Sequence, residues 1–459
     1  MDSTGKPIVL TSLPSKLQEQ LSDCRQEHLL KFWDVLSADE QKFFALQLSS
    51  IDFELFLRLR EQKASASDKL IAPCDVVQLD DAFQSKGVAS IQNGELGVLT
   101  VAGGQGTRLG WSGPKGTFPA TPVTGKSLFQ IIAEQIVFAS KKYSVVIPWY
   151  IMTSNENDEA TRSFLLDNNC FGLKRTDIFI FTQNEIPAVD AEGNMLLATK
   201  NSVAMNPDGH GGVVSALKQS GGLEEMSIRG IKHLSYVQVD NPLANVIDPD
   251  FIGLHLSDKS SQEASSKCVP KITPEERVGV FCNVAGNIEV VEYIDLPADK
   301  ANQVHADGEL LYGAGSIAVH LFAVDFLHRI ADDLPWHLAH KKVQHVHAET
   351  GDLVSPPEPN AYKFEKFVFD VLPMAKSSLV VATKREDEFA PIKNATGQDS
   401  RTTSHQLQQA RALRWLCERG VDVEEGAKVE ISPLSGMSAK DLDASVLPTS
   451  IASDEVVVI

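Results

Sequence analysis

The sequence predicts an α/β protein with a mixed, mainly parallel sheet, a helical N-terminal extension and a small C-terminal part. The middle of the chain alternates short apolar runs, typical of buried strands, with segments whose apolar residues recur at helical spacing. Such alternation is typical of β–α–β units, which form parallel sheets. The chain has 459 residues, 43% of them hydrophobic, which is enough for more than one domain.

The first part of the chain is predicted to be helical over residues 11–63, because leucine and aromatic side chains recur there three or four positions apart. Ser37 and Glu40 have the spacing of a capping box, which predicts a helix beginning after Ser37. Residues 63–69 are rich in Ser, Ala and Lys and are predicted to be a linker. We therefore expect a helical N-terminal region over residues 1–90.

We expect a large catalytic core over residues 91–380 and a C-terminal region over residues 381–459. Ligands of such sheets lie at the carboxyl ends of the strands. The predicted core strands are 96–102, 145–152, 178–181 and 234–239, and the predicted core helices are 127–141, 158–166 and 213–218. In the C-terminal region we expect a helix over 406–418. The final apolar residues, 456–459, fit either a terminal strand or a disordered end.

Charge and cysteine content narrow the class of function. The net charge is −19, from 42 Lys and Arg against 61 Asp and Glu, which disfavours nucleic acid or an anionic membrane as a partner. No apolar run approaches the roughly 20 residues that a membrane helix needs, and the N-terminus has no signal-peptide pattern. The six cysteines are far apart without a CxxC pair, so we expect a reduced, cytoplasmic protein.

A glycine-rich loop, AGGQGTRLG over residues 102–110, follows the first predicted core strand. Glycines let backbone N–H groups surround an anion without Cβ atoms in the way. A Rossmann fingerprint would need glycine at Leu109, and a P-loop ending at 125–127 would need glycine at Ala120. A glycine turn without a ligand is the alternative, but Arg108 and Lys115 favour phosphate binding.

This loop and several later segments resemble the family of UDP-sugar pyrophosphorylases, and most closely its N-acetylglucosamine branch and the related bacterial uridylyltransferases. The resemblance covers residues 90–400, approximately, and follows the family's order. The segments are AGGQGTRLG (102–110) with GPKG (113–116), FTQNEIPA (181–188), PDGHGG (207–212), VDN (239–241), VGV (278–280) with VVEY (290–293), KFEKFVFD (363–370) and REDEFAPIKN (385–394).

The resemblance implies a nucleotidyltransferase core of the glycosyltransferase-A type. It implies that UTP and a sugar 1-phosphate react to UDP-sugar and pyrophosphate with Mg²⁺ or Mn²⁺ as cofactor, in a monomer or homodimer. Such a transfer needs positioning and charge neutralisation rather than a protein nucleophile. The sequence has no GxSxG elbow, which is consistent with this expectation.

Family matching assigns roles to individual residues. It implies that Arg108, Lys115 and Lys393 contact phosphate groups, and that Asp240, after an apolar run, holds the metal. The nucleotide-binding residues by resemblance are Ala102, Gly103, Gly104, Gln183, Gly209 and His210, among which the Gln183 carboxamide suits the uracil edge. The sugar-binding residues by resemblance are Glu292, Gly313, Phe367 and Phe369.

Two departures leave the sugar open. The branch's Gly-Asn-Gly-Gly is Gly-His-Gly-Gly at 209–212, and its Asn-Ala-Gly-Asn is Gly-Ala-Gly-Ser at 313–316. Losing asparagines removes hydrogen-bonding groups that discriminate between sugars. N-acetylglucosamine 1-phosphate is the first expectation, and UDP-glucose, UDP-galactose or broad UDP-sugar specificity is the alternative.

Two hypotheses that assign the protein to another functional class are less consistent with the sequence. A non-catalytic nucleotide-sugar-binding protein could dispense with the metal ligand and the phosphate-binding cations that this chain retains. A zinc enzyme would use a histidine cluster, but no cysteine or HExxH motif accompanies it. The histidines in question are His337, His340, His345 and His347.

Overall fold

The computed structural model describes residues 13–60 and 70–459, which belong to two compact units. The larger unit consists of Lys69–Gln183, Val213–Asp333 and Phe369–Ile459, and the smaller of Met1–Asp68, Asn184–Gly212 and Leu334–Val368. Each unit is therefore assembled from three separate stretches of chain. These units are defined by contacts in space and are discontinuous in the sequence. The three consecutive regions expected from the sequence are a different kind of division, which stays a prediction.

The larger unit is built on one sheet, which has eleven strands among the described residues. They are β1 (Ile71–Pro73), β2 (Val77–Gln78), β3 (Leu96–Val101), β4 (Trp149–Thr153), β5 (Ile178–Thr182), β6 (His233–Gln238), β7 (Ala264–Pro270), β8 (Val280–Val284), β9 (Asn287–Val291), β10 (Ala314–Ala323) and β11 (Ser378–Ala382). The main path runs β2-β11-β7-β10-β6-β3-β4-β5. Five of its seven pairings are parallel and two are antiparallel, both with β10, which confirms the mixed, mainly parallel sheet.

Helices cover this sheet, so its central strands are buried on both faces. Every residue of β4 is buried, and β3 is buried until its last residue, which explains their continuous apolar runs. The α-helices of the larger unit are Gln84–Gln92, Leu128–Tyr143, Asp158–Asp167, Val213–Gln219, Gly222–Arg229, Pro249–His255, Ala298–Ala301, Val324–Ile330, Arg385–Glu388 and Arg401–Glu418. Among the described residues, no helix is long and apolar enough to cross a membrane.

The smaller unit has a core of its own. Its α-helices, Ser15–Asp23, Ala38–Ser50 and Phe53–Arg60, pack with short hairpins from the two later stretches of chain. The hairpins pair Glu185–Pro187 with Met205–Pro207, Leu197–Thr199 with Ser202–Val203, His337–Lys341 with Ala361–Glu365, and His345–Val346 with Leu353–Val354. The predicted capping box is confirmed, since Glu40 N–H donates to Ser37 Oγ and Ser37 N–H donates to the Glu40 carboxylate.

Three differences from the sequence prediction are larger than two residues. The strand predicted from residue 145 begins at Trp149, because Pro148 before it has no N–H to donate to a ladder. The C-terminal helix begins at Arg401 rather than 406, because Ser400 and Thr403 form a capping box in a stretch without apolar periodicity. In the N-terminal region, 3₁₀ turns at Glu27–Leu30 and Trp33–Val35 separate the helices. The predicted linker over 63–69 lies outside the described residues.

The end of the chain is a strand. Val456–Val458 pairs in parallel with Lys428–Glu430, and Asp422–Val423 pairs with Ser450–Ile451. The remaining short 3₁₀ turns are Thr107–Leu109, Lys115–Thr117, Asn169–Gly172, Arg175–Asp177, His210–Gly212, Val368–Met374 and Ala439–Asp441.

Two histidines are buried together where the first residue of β6 meets the end of the helix Pro249–His255. His255 Nε2 lies 3.2 Å from His233 Nδ1, and His255 Nδ1 lies 2.8 Å from Ser265 Oγ. Burial lowers the pKa of His233 to about 4 and that of His255 to about 3. Unfolding exposes both rings to water, where they bind protons near pH 6.5. The pair therefore contributes stability that is complete above that pH and is lost as the pH falls toward the folded-state values.

We expect a His255→Gln variant to have a weaker dependence of stability on pH than the parent protein. Between pH 8 and pH 5, the parent should lose roughly 2 kcal/mol more unfolding free energy than the variant, because glutamine binds no proton. Urea unfolding of both proteins at the two pH values measures this difference. The same pH dependence in both proteins would contradict the assignment.

Candidate functional site

The site lies at the carboxyl edge of two neighbouring strands of the larger unit. β3 and β6 are parallel, with Val101 opposite Gln238 at their last paired positions. The glycine loop follows β3 at once, and Asp240 follows β6 after one residue. Parallel pairing therefore puts the loop and the carboxylate at the same edge, where ligands of α/β sheets bind.

The glycine loop is closed by its own backbone hydrogen bonds. Gly106 N–H donates to Gly113 C=O at 3.0 Å, and Lys115 N–H donates to Gly104 C=O at 3.0 Å. By contrast, the N–H groups of Gly103, Gly104 and Gln105 donate to no acceptor in the described parts of the chain. Three successive N–H groups without an internal acceptor can form an anion nest.

Glycine occurs at different positions of this loop for different structural reasons. A Cβ on Gly106 would lie 2.7 Å from Trp111 Cβ, a Cβ on Gly116 would lie 2.2 Å from the Phe129 ring, and Gly110 has φ +68°. These three are therefore required by packing or by backbone conformation. A Cβ on Gly104 would meet no described atom within 4 Å. Packing within the described residues therefore does not require glycine at position 104. A ligand that approaches this backbone closely would require it.

Three charged residues meet beside the loop. Lys115 Nζ donates to Asp240 Oδ2 at 3.0 Å, and the two side chains are 13% and 14% exposed. Burial would raise the pKa of Asp240, but the charges of Lys115 and then Lys393 outweigh it and hold that pKa below its usual value. Asp240 is therefore ionised near neutral pH, and the structure brings it together with two of the three predicted phosphate-binding cations.

Gln183 also reaches the loop. It follows β5, and its N–H donates to Thr153 C=O at 2.8 Å. Its carboxamide lies against Gly103, where a Cβ would be 3.1 Å from Gln183 Oε1. A buried carboxamide beside the nest can both donate and accept, as recognition of a base edge requires.

Two predicted sugar-binding residues of the larger unit, Glu292 and Gly313, have different neighbours. Burial raises the pKa of Glu292, with Asp295 adding to the shift and Lys393 opposing it. Glu292 therefore lies within the electrostatic reach of Lys393. Gly313 packs against Leu310, whose C=O would be 2.6 Å from an added Cβ, so this glycine has a structural reason. Ser316, at the end of the same stretch, binds Gly279 C=O through its N–H at 2.8 Å.

Two other predicted residues lie on short 3₁₀ turns. Arg108 lies exposed on the turn Thr107–Leu109 and has no hydrogen bond or ion pair with the described residues. Phe369 is partly buried in the 3₁₀ turn Val368–Met374. Their predicted roles depend on a ligand and stay predictions.

The smaller unit carries Gly209, His210 and Phe367. Gly209 has φ +84°, and a Cβ there would lie 2.4 Å from Lys366 C=O, so only glycine fits. His210 Nδ1 accepts a hydrogen bond from Val368 N–H at 3.1 Å, and its ring lies 5.5 Å from the Phe367 ring. This bond holds the imidazole in one orientation.

Two residues next to predicted site residues were not singled out from the sequence. Burial raises the pKa of Asp208, next to Gly209, to about 7, although the charge of Lys366 opposes the shift. Asn157 Nδ2 donates to Ala102 C=O at 3.0 Å and to Gly104 C=O at 3.3 Å, so it supports the loop from behind. In the sequence, Asn157 stands before a helix and has the pattern of an ordinary cap, which conceals this role.

A metal at this site would be held by one protein carboxylate. Among the residues that the structure describes, no group of three or more His, Cys, Asp or Glu could hold a metal ion. Asp240 alone fits Mg²⁺, which takes one or two carboxylates together with water and substrate phosphates. Two of the clustered histidines stack on rings, since His340 lies 4.7 Å from the Tyr362 ring and His337 lies 4.6 Å from the Phe367 ring.

Comparison with known proteins gives consistent similarities. The family model described as UTP--glucose-1-phosphate uridylyltransferase matches residues 53–412. The chain is 35% identical over 465 residues to UDP-N-acetylglucosamine diphosphorylase 1 of Arabidopsis thaliana, covering 93% of this chain and 90% of that protein. It is also 35% identical over 490 residues to UDP-N-acetylhexosamine pyrophosphorylase-like protein 1 of Xenopus tropicalis, covering 94% and 95%.

A solved structure is similar over nearly the whole chain. It is the uridine diphosphate N-acetylglucosamine pyrophosphorylase from Trypanosoma brucei in complex with an inhibitor, with a TM-score of 0.81 and 26% sequence identity. The similarity covers 94% of this chain and 95% of that one. The fold is therefore shared over most of both chains.

Alanine substitutions at Gly106 and at Gly104 should differ in their effect on the unfolding free energy. Gly106→Ala should lower the unfolding free energy by about 1 to 3 kcal/mol, because its methyl group overlaps Trp111. Gly104→Ala should change it by less than about 1 kcal/mol, since the position is open and its φ is negative. Urea unfolding of both variants measures the contrast, and equal losses would show that Gly104 also has a packing role.

Proposed function

This chain belongs to the UTP--glucose-1-phosphate uridylyltransferase family, and from this premise we propose that it is an enzyme that transfers the uridylyl group of UTP to a sugar 1-phosphate. The products are UDP-sugar and pyrophosphate. The observation that carries the proposal is a run of three backbone N–H groups, Gly103 to Gln105, that have no acceptor among the described residues. This run lies at the carboxyl edge of β3 and β6, next to the Lys115–Asp240 ion pair, and Asp240 is within the electrostatic reach of Lys393.

The chemistry needs no covalent bond to the protein. A phosphate oxygen of the sugar 1-phosphate forms a bond to the α-phosphorus of UTP, and the bond from that phosphorus to the bridging oxygen of pyrophosphate breaks. Negative charge is carried from the attacking phosphate to the leaving group. The nest and Lys115 suit the triphosphate, and Lys393 suits the sugar phosphate, because fixed cations lower the repulsion between the two anions. Arg108, exposed at the loop, is free to reach the leaving pyrophosphate.

We propose Mg²⁺, or Mn²⁺, as the cofactor, with Asp240 as its protein ligand. When bound, the metal supplies positive charge to phosphate oxygens. The support is that Asp240 is ionised and faces the site through Lys115. Lys115 then has two roles: it neutralises Asp240 before binding and phosphate oxygens afterwards.

The nucleotide base and the sugar are assigned by residue type. Gln183 is proposed to read the uracil edge next to Ala102 and Gly103, and Gly209 and His210 are proposed as nucleotide-binding residues on the family resemblance. Glu292 is proposed to accept from sugar hydroxyls, with Gly313, Phe367 and Phe369 bordering the sugar. The name of the Arabidopsis relative favours N-acetylglucosamine 1-phosphate, and the name of the Xenopus relative favours an N-acetylhexosamine 1-phosphate. The loss of both asparagines in 313–316 favours glucose or galactose 1-phosphate as the second candidate.

We further propose that the enzyme works in the cytoplasm as a monomer or homodimer, without a nucleic-acid or membrane partner. Each of the six cysteines is a free thiol, which suits a reducing compartment. The net charge of −19 opposes binding to polyanionic surfaces.

The direct test is pyrophosphate release from UTP, Mg²⁺ and a panel of sugar 1-phosphates. We expect release with N-acetylglucosamine 1-phosphate, and a value of kcat/KM at least about 10-fold lower with glucose 1-phosphate, since a pocket that loses a partner group loses 1 to 3 kcal/mol. No release with any sugar would refute the enzyme. A preference for glucose 1-phosphate would refute the sugar assignment alone.

The metal assignment is tested by Asp240→Asn, with Asp250→Asn as the matched control, because Asp250 is also partly buried but lies on the helix Pro249–His255. We expect the first variant to lose about 100- to 1,000-fold in kcat, in line with the removal of one charge-stabilising group. Metal-free UTP should bind to it at least as tightly as to the parent, because a negative charge is gone; titration calorimetry measures this. Full activity of Asp240→Asn would contradict the role.

A further inference from the structure

The segment 388–393, here called the Lys393 strap, is attached to the residues around Asp240. Ile392 N–H donates to Asp240 C=O at 2.9 Å. Asn241 binds the strap twice, since its Nδ2 donates to Glu388 C=O at 2.7 Å and its Oδ1 accepts from Ala390 N–H at 3.0 Å. The strap is therefore held in a fixed register against the chain that carries Asp240.

The other end of the strap is anchored in a buried ion cluster. Lys267, on β7, has no exposed surface. Its ammonium group binds the Glu388 carboxylate and Asp248 Oδ2, the latter at 2.6 Å. Thr383 Oγ1 donates to Glu388 Oε1 at 2.9 Å. Glu388 thus connects the strap to the rigid centre of the sheet.

Stability alone does not account for this cluster. Burying charges costs free energy that their attraction seldom exceeds, so an apolar replacement of the whole set is often as stable. The cost is evident here, because Glu388 Oε2 is buried and has no partner in the described parts of the chain. Buried ionic groups are best attested where they fix one register among alternatives.

We propose that Glu388 and Lys267 are positioning residues that act through the strap on Lys393. This inference rests on the proposed function and deepens it. The anchor fixes where the strap begins, Asn241 and Asp240 fix its register, and Lys393 follows as the next residue after Ile392. The cation for the sugar phosphate and the carboxylate for the metal are thereby set at one spacing, although they are 153 residues apart in the sequence (393 − 240).

The test compares Glu388→Gln with Glu263→Gln. The two glutamates are 6% and 7% exposed and both bind cations, but Glu263 pairs with Arg329 and touches neither the strap nor Asp240. We expect Glu388→Gln to lose about 10- to 100-fold in kcat, the usual effect of a residue that orients a ligand. Glu263→Gln should keep its activity at a similar melting temperature. Equal losses in both variants would overturn the proposal.

A double-mutant cycle with Lys393→Ala separates positioning from general damage. If Glu388 acts through Lys393, adding Glu388→Gln to Lys393→Ala should lower kcat by less than about twofold further, because interacting residues are not additive. A further loss as large as in the single variant would show that Glu388 acts elsewhere. Thr383→Val, which removes one donor to Glu388 and conserves volume, should show the same non-additivity if Glu388→Gln fails to fold.

Hydrogen exchange gives a reading that does not depend on activity. The amides of Ala390 and Ile392 should exchange faster in Glu388→Gln than in the parent. In Glu263→Gln, their exchange rates should equal those of the parent. Unchanged exchange at both amides would overturn the proposal even in an inactive protein. An inactive parent whose strap amides respond as expected would refute the proposed function and leave the anchor established.

Discussion

Parallel pairing of β3 with β6 is the constraint on which the site depends. Because Val101 and Gln238 are aligned, the chain leaves both strands at one edge, and the glycine loop meets Asp240 there. Lys115 returns from that loop to bind Asp240, and the strap brings Lys393 within electrostatic reach of the same carboxylate. A shift in this register would separate the cations from the nest, however well each loop kept its own shape.

Charge distribution explains how an acidic chain handles a triphosphate. The net charge of −19 is spread over the whole molecule, whereas the site concentrates two lysines around one ionised aspartate. Over 10 Å or more, salt screens the distant charges, so the local cluster decides what binds. The ion pair also keeps Lys115 in place before a ligand arrives, which lowers the ordering cost of binding.

The sequence predicted the parts of the structure that depend on local pattern. Continuous apolar runs located β3, β4 and β6, and the capping box at Ser37 was visible from its spacing. Ordered motifs pointed to Lys115, Asp240 and Lys393, which the structure brings near one another, whereas Arg108 has no partner among the described residues that could confirm its role. Residues whose task is long-range support were missed. Asn157 has the local pattern of a cap, and the importance of Lys267 depends on Glu388, 121 positions later (388 − 267), a relation that no local pattern contains.

The discontinuity of the smaller unit has a consequence for biosynthesis. The helices Ser15–Asp23 and Ala38–Ser50 bury their apolar faces in a core that also contains Val189 and Phe364. On the ribosome they are made first, yet Phe364 follows about 300 residues later, which at about 5 to 20 residues per second takes roughly 15 to 60 s. During this interval, side chains such as Phe44 and Phe56 have only part of their final surroundings. The nascent chain therefore leaves part of this apolar surface exposed until the last hairpin of the smaller unit emerges.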